Sequence, residues 1–225
     1  MSPSVATKLC DADEAIRLTL FDGASVMVGG FGLVGMPLTL VNALNRSAVT
    51  GLTVLSNNLG EPGKGLGQTL LLGKIRRAVG SYFTTNPDVV RAHGEGRLEV
   101  TLMPQGTFAE AMRAGGAGLG GFFTPTAVGT LLAAGKETRE IRGRIYVLEE
   151  ALTADVALVR ARLADRLGNL VYEKTARNFN PVMATAARVV VAEVDEVVEI
   201  GELDPERVVT PHLYVDHLVL AQERL

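Results

Sequence analysis

The fold is set by the stretch Val26-Met27-Val28-Gly29-Gly30-Phe31-Gly32-Leu33-Val34-Gly35-Met36-Pro37. Val26 to Val28 is a short β-favouring run, and Pro37 followed by Leu40, Val41 and Leu44 predicts a helix opened by proline, with apolar residues at helical spacing. Between them lies a glycine turn. Gly30 to Gly35 fits G-x-G-x-x-G in the strand-to-helix context of a dinucleotide fingerprint. That fingerprint needs an acidic residue roughly 20 positions on to hold the ribose hydroxyls. The next strand ends instead in Ser56-Asn57-Asn58, so a conventional nicotinamide site is disfavoured. Two readings stay open. In one, Gly29, Gly30, Phe31, Gly32 and Gly35 build a tight turn whose amides face an anionic or thioester ligand at a helix N-terminus. In the other, the turn only packs the helix on the sheet.

Outward from this unit the pattern repeats. Gly51 to Ser56 predicts a second strand, parallel to the first because a helix separates them. Ile75 to Phe83 and Leu98 to Met103 are further candidate strands around a short helix at Asp88 to His93. Thr107-Phe108-Ala109-Glu110 has the form of a capping box that opens a helix running to about Arg113. Residues 114–126 hold five glycines and a proline, which predicts a structured loop. Arg144 to Leu148 and Asp155 to Leu163 read as strands, Gly168-Asn169 as a tight turn, and Leu170 to Glu173 as a returning, antiparallel strand. Asn180-Pro181 reads as a helix cap followed by proline, with a helix to about Ala187, and Val189 to Val194 as a strand. The expectation is one domain over residues 1–225: an α/β fold with an open, largely parallel sheet, helices on both faces and a small antiparallel part in the C-terminal half.

Composition excludes several function classes. The chain carries 22 Lys and Arg against 25 Asp and Glu, a net charge of -3, and its basic residues are scattered, so nucleic acid is not an expected partner. The polar start from Met1 to Lys8 and the short apolar runs predict neither signal peptide nor membrane span, and hence a cytoplasmic location. Cys10 is the single cysteine and reads as a bystander, and His93, His212 and His217 are not at metal-ligand spacing, so no metal is expected. Glycine is different: 25 residues in 225 exceed the usual ~7%, and the excess belongs where backbone approaches backbone or ligand closely.

Asn57 and Asn58 after the second strand, and Gln105 after the fourth, fall at carboxyl ends of strands, the edge at which parallel α/β sheets bind ligands. Uncharged amides there can donate to an oxyanion, which suits acyl transfer. Alternatively, each amide satisfies its own turn. No G-x-S-x-G elbow, Walker A sequence or serine with an evident base is present, so the chain reads as an acyl-transfer scaffold without a nucleophile of its own.

At Asp22-Gly23-Ala24-Ser25-Val26-Met27-Val28-Gly29-Gly30-Phe31-Gly32-Leu33-Val34-Gly35-Met36-Pro37 the chain resembles the signature segment of the A (α) subunit of family I coenzyme A-transferases. Ser56 to Asn58, Pro104 to Thr107, Arg113 to Gly118, Gly135 to Glu140, Ala151 to Asp155 and Thr175 to Pro181 also resemble that family, and the likeness runs from about residue 8 to 220. The resemblance implies a CoA-transferase (NagB-like) fold and a heterodimer or heterotetramer with a B subunit. It implies transfer of CoA from succinyl-CoA to a 3-oxo acid, acetoacetate or 3-oxoadipate, with no cofactor beyond CoA and acyl-CoA as substrates. The implied route is ping-pong, through an acyl anhydride and then a thioester on a glutamate of a Ser-Glu-Asn-Gly motif in the B subunit. That tetrapeptide does not occur here, which accounts for the missing nucleophile. Carried onto this sequence, Gln105, Asn57 and Asn58 match the amides lining the oxyanion and carboxylate pocket. The loop with Gly115, Gly116 and Gly118 matches a segment that lets substrate or pantetheine lie against backbone, with pure packing as an equal alternative. Two departures are visible: Leu119 to Phe123 replaces a proline-alanine-aromatic run, and Pro211-His212 replaces a proline-glycine pair, which puts the local turn in doubt.

Overall fold

The structure is a computed structural model and describes residues 8–223. After α1 (Ala12–Thr19), four strands lie side by side in chain order: β1 (Ser25–Val28), β2 (Leu52–Leu55), β3 (Ile75–Gly80) and β4 (Glu99–Leu102). They are joined by α2 (Leu38–Arg46), α3 (Leu66–Leu71) and α4 (Pro87–Gly94). Next, α5 (Gln105–Gly116) leads into a separate antiparallel sheet of β5 (Gly121–Thr124), β6 (Thr138–Ile141) and β7 (Arg144–Glu150), with β7 in the middle. The chain then returns to the first sheet. There β8 (Ala154–Asp165) pairs with the free side of β1, the short β9 (Leu170–Val171) runs antiparallel to it, and α6 (Asn180–Thr185) precedes β10 (Ala187–Val198) and β11 (His217–Leu220). The order β11-β10-β8-β1-β2-β3-β4 is parallel throughout.

Strand alternation explains why helices cover both faces. Val26 and Val28 of β1 enter one core with α1 to α4, while Met27 between them enters another with Phe108, Met112 and Met183 of α5 and α6. Strands buried on both faces read as unbroken apolar runs, which is why Val26 to Val28 is legible as a strand. Strand order reverses between β1 and β8. The crevice outside the carboxyl ends at such a switch point is where open α/β sheets hold ligands.

Several expectations are corrected. The helix expected at Thr107 starts two residues earlier, after Pro104, whose φ of -55° suits a helix entrance; Thr107 is buried in the first turn and makes no cap, and Glu110 pairs with Arg113 at 2.7 Å. The predicted loop 114–126 contains the last helical residues and β5, because Gly115 and Gly116 lie in the last turn of α5 and Phe122 and Phe123 are strand residues paired to β7. β6 is a strand where none is expected. Asn180 is not a cap but the first residue of α6, which ends at Thr185, and its side chain turns back toward β1 and β8. His212 lies in a 3-10 turn and is not at positive φ, so its replacement of glycine carries no backbone strain. Among the described residues no helix is long and apolar enough to cross a membrane, and no group of three His, Cys, Asp or Glu is placed to hold a metal.

Candidate active site

β1 ends where its ladder with β8 ends: the Gly29 amide donates to Leu158 O at 3.0 Å, and the chain then leaves the sheet. Phe31 and Val34 exchange backbone hydrogen bonds of 2.9 and 3.2 Å, with Gly32 at φ 62°, which makes a two-residue hairpin with the Gly-first pattern of a type II′ turn. Its outer side chains, Phe31 and Val34, are half-exposed. The Gly30, Phe31, Val34 and Met36 amides bond within the protein, whereas those of Gly32, Leu33 and Gly35 have no such partner among the described residues, so both readings of the glycine turn stand.

The N-terminus of α2 beyond it is taken by an anion of the protein itself. Glu193, 1% exposed on β10, accepts from the Leu40 amide at 3.1 Å and pairs with Arg160 at 2.9 Å. Burial pushes its carboxyl up to about 7, against the pull of the Arg160 guanidinium and the α2 amides. Arg160 also meets Asp195, and Arg162 meets Asp195 at 3.2 Å. A cavity of about 410 Å3 opens here at the β1–β8 switch point, lined by Val34, Gly35, Arg160, Arg162 and Tyr172 among others. Its arginines are engaged by these carboxylates.

The hairpin is held from the far end of the sequence. Asn178 Oδ1 accepts from the Gly30 amide at 3.1 Å and its Nδ2 donates to Val34 O at 3.0 Å, while Asn180 Nδ2 donates to Gly35 O at 3.0 Å. Space is tight at the contact: a Cβ on Gly29 would stand 1.8 Å from Asn180 Oδ1, and one on Gly35 would stand 2.3 Å from Ala176 O. Sequence reading singles out Asn178 only as part of a resembling stretch, and Asn180 besides as a helix cap. Their bonds span about 145 positions, and local spacing carries no signal for such a contact.

On the other side of the hairpin stand the amides. Ser56 Oγ donates to Val28 O at 2.8 Å and ties the ends of β1 and β2. Asn57 and Asn58 follow it, both buried. Gln105, exposed at the start of α5, reaches across the end of β3 and donates Nε2 to Asn57 Oδ1 at 2.9 Å. Asn58 Oδ1 accepts from the Gly60 amide at 3.0 Å, so its oxygen does satisfy its own turn, as the plainer reading expects. The structure thus joins Gln105 to Asn57 and sets Asn58 beside them. A Cβ on Gly115 would meet Leu152 O at 2.1 Å and one on Gly116 would meet Thr185 Oγ1 at 2.4 Å, so both pack closely, while Gly118, at φ 72°, ends the helix and faces open space. Cys10 lies 4.0 Å from His217 Nδ1, and burial together with Glu14 and Asp11 pushes its thiol up, away from the nucleophilic thiolate.

Residues 10–221 match the family model described as coenzyme A transferase. The chain belongs to the coenzyme A transferase family. Within it, the chain is 53% identical over 215 residues to the A subunit of succinyl-CoA:3-ketoacid coenzyme A transferase from Xanthomonas campestris pv. campestris (strain B100), covering 96% of this chain and 89% of that one. It is 49% identical over 200 residues to the A subunit of 3-oxoadipate CoA-transferase from Pseudomonas putida, covering 88% and 87%. Among solved structures, the acyl-CoA transferase YdiF of E. coli O157:H7, in a thioester complex with CoA, aligns with a TM-score of 0.88 over 97% of this chain at 20% identity, a likeness of fold. The chain spans about half the length of YdiF, 48%. As a coenzyme A transferase it is an enzyme of the CoA-transferase type, with the largely parallel α/β sheet and small antiparallel sheet described above.

Proposed function

We propose that the chain is the A subunit of a cytoplasmic 3-oxoacid CoA-transferase of ketone body metabolism, which passes CoA from succinyl-CoA to acetoacetate together with a B subunit that carries the nucleophilic glutamate. The observation that carries the reading is the 2.9 Å bond from Gln105 to Asn57, which sets an exposed primary amide, anchored from behind, at the carboxyl edge of the sheet. The 53% identity to the A subunit of a succinyl-CoA:3-ketoacid transferase supports the substrate assignment.

In this reading the partner's glutamate carboxylate attacks the succinyl thioester carbonyl and expels the CoA thiolate, leaving an acyl anhydride. The thiolate then attacks the glutamyl carbonyl and releases succinate, leaving the enzyme thioester. Reversal with acetoacetate restores the glutamate and forms acetoacetyl-CoA. Each addition creates an oxyanion among other anions, and a neutral donor stabilises it without adding a charge that the next anion must leave. Gln105 supplies that donor through the Nε2 hydrogen not given to Asn57, Asn57 orients it, and Asn58 lies next to the pair. The Phe31–Val34 hairpin borders the acyl-CoA with its exposed apolar side chains. No cofactor is called for, since CoA enters and leaves as substrate.

Co-expression with a B subunit, followed by an assay of CoA exchange between succinyl-CoA and acetoacetate with the chain alone as control, tests this. Activity in the pair and none in the chain alone is expected; activity in the chain alone overturns the split site. A second reading, 3-oxoadipate as acceptor, is favoured by the 49% identity to the Pseudomonas putida protein, and the ratio of rates on the two acids decides between them.

A further inference from the structure

We propose that Asn178 and Asn180 are positioning residues of the transfer reaction, which fix the Gly30–Gly35 hairpin at the β1–β8 switch point and thereby set the affinity for acyl-CoA. The proposal rests on the reading of that hairpin as a border of the substrate site.

The hairpin lies past the end of the β1 ladder, and an isolated two-residue hairpin is at best marginally stable in water. Apolar burial holds it only through Leu33, which packs against the core, because Phe31 and Val34 are half-exposed. Both of its ends are held by amide hydrogen bonding from one short segment. Asn178 takes both ends of the hairpin, the Gly30 N–H at entry and the Val34 carbonyl at exit. Asn180 takes the next carbonyl, Gly35 O. The same Asn180 is anchored to the sheet. Leu158 O on β8 accepts from Gly29, so the Arg160 N–H, two residues on, points to the same side, beyond the end of β1. Asn180 Oδ1 takes that N–H at 2.8 Å, standing in for the strand that β1 no longer supplies.

The residue type follows from the bonds. Asn178 both accepts and donates, which a carboxylate cannot do. An aspartate there keeps the acceptor for Gly30 N–H and turns a negative charge onto the Val34 carbonyl, beside a site that must admit anions. Asn180 is fully buried with bonds to β8, Gly35 and Ala176, so its loss reaches the sheet itself. The test therefore falls on the half-buried Asn178.

The experiment uses the enzyme assembled with its partner and compares wild type, Asn178→Ala, Asn178→Asp and Phe31→Ala, with amide hydrogen exchange of segment 29–37 beside steady-state kinetics on succinyl-CoA. Asn178→Ala is expected to raise KM for acyl-CoA by ~10-fold, the size of one or two lost hydrogen bonds, with kcat little changed. Asn178→Asp is expected to raise KM at least as much, because it sets a carboxylate oxygen against the Val34 and Thr175 carbonyls. Exchange of the hairpin amides accelerates while that of β1 and α2 does not. KM raised by Phe31→Ala but unmoved by Asn178→Ala overturns the positioning role alone. KM unmoved by both overturns the reading of the hairpin as substrate border and the proposal with it. A KM shift in Asn178→Ala without faster hairpin exchange also overturns it.

Discussion

Gly29 to Gly35 and Leu59 to Gly65 follow adjacent parallel strands and close on the same frame: a glycine at entry, a two-residue tip, a glycine at exit and then a helix. In the first, Gly32 takes the positive φ at the first tip position; in the second, Pro62 fills that place and Gly63 takes φ 68° at the next, the pattern of a type II turn. The first tip is flanked by exposed Phe31 and Val34, and the second by Glu61 and Lys64, 3.8 Å apart. Their anchors differ most. The second is pinned at its entry by Asn58, 2 residues away, on the Gly60 amide and by Asn86, 27 residues away, on Leu59 O. The first is pinned at both ends from residues 178 and 180. One backbone device is thus used twice, once as a local turn and once as a feature assembled only when the far end of the chain has folded onto it.

The sharpest way to break this comparison is Gly29→Ala. The place of Gly29 is held in the second hairpin by Leu59, whose side chain is fully buried in the core, whereas a Cβ on Gly29 collides with Asn180. The variant should lose about 3 kcal/mol of stability, the upper end of overpacking costs, read from denaturant unfolding. Next in size, Gly32→Ala and Gly63→Ala each meet open space but retain a positive φ, so each should cost about 1 kcal/mol. Kinetics separate them: only Gly32→Ala should lower kcat/KM.

The last contrast is one of pH and concerns the helices behind the hairpins. α2 rests its N-terminus on Glu193, whereas α3 has no side-chain cap. Glu193 titrates at about 7 against an ordinary 4.5, so the folded state holds the proton more tightly than the unfolded one. Its contribution is complete below about 4.5 and is lost as pH rises through about 7. Glu193→Gln should flatten the fall of stability across that window, measured as midpoints of urea unfolding at a series of pH values.

What is legible in the sequence follows the same division between local and remote. Val26 to Val28, Leu52 to Leu55 and the long run in β10 announce themselves because strands buried on both faces need uninterrupted β-favouring side chains. The same alternation puts Asn57, Asn58 and Gln105 at carboxyl ends of strands. The second hairpin goes unread because Gly60, Gly63 and Gly65 match no named motif, although two glycines five apart after a strand repeat the spacing of Gly30 and Gly35. Glycine and charge hide β5 and β6, since their sheet is partly exposed and demands little of its residues. Glu193 does carry a signal, a carboxylate inside a run of valines. Asn178 carries none, and Asn180-Pro181 signals only the start of a helix, not its bonds to the hairpin and β8.

The most direct test is the turnover of Gln105→Ala in the assembled enzyme, with succinyl-CoA and acetoacetate as substrates. Gln105 is exposed and holds one side-chain bond, to Asn57, so assembly and thermal stability should be unchanged while kcat falls by ~100-fold or more, the cost of one preorganised oxyanion donor. Turnover equal to wild type would contradict the account and remove the Gln105–Asn57 pair from the chemistry.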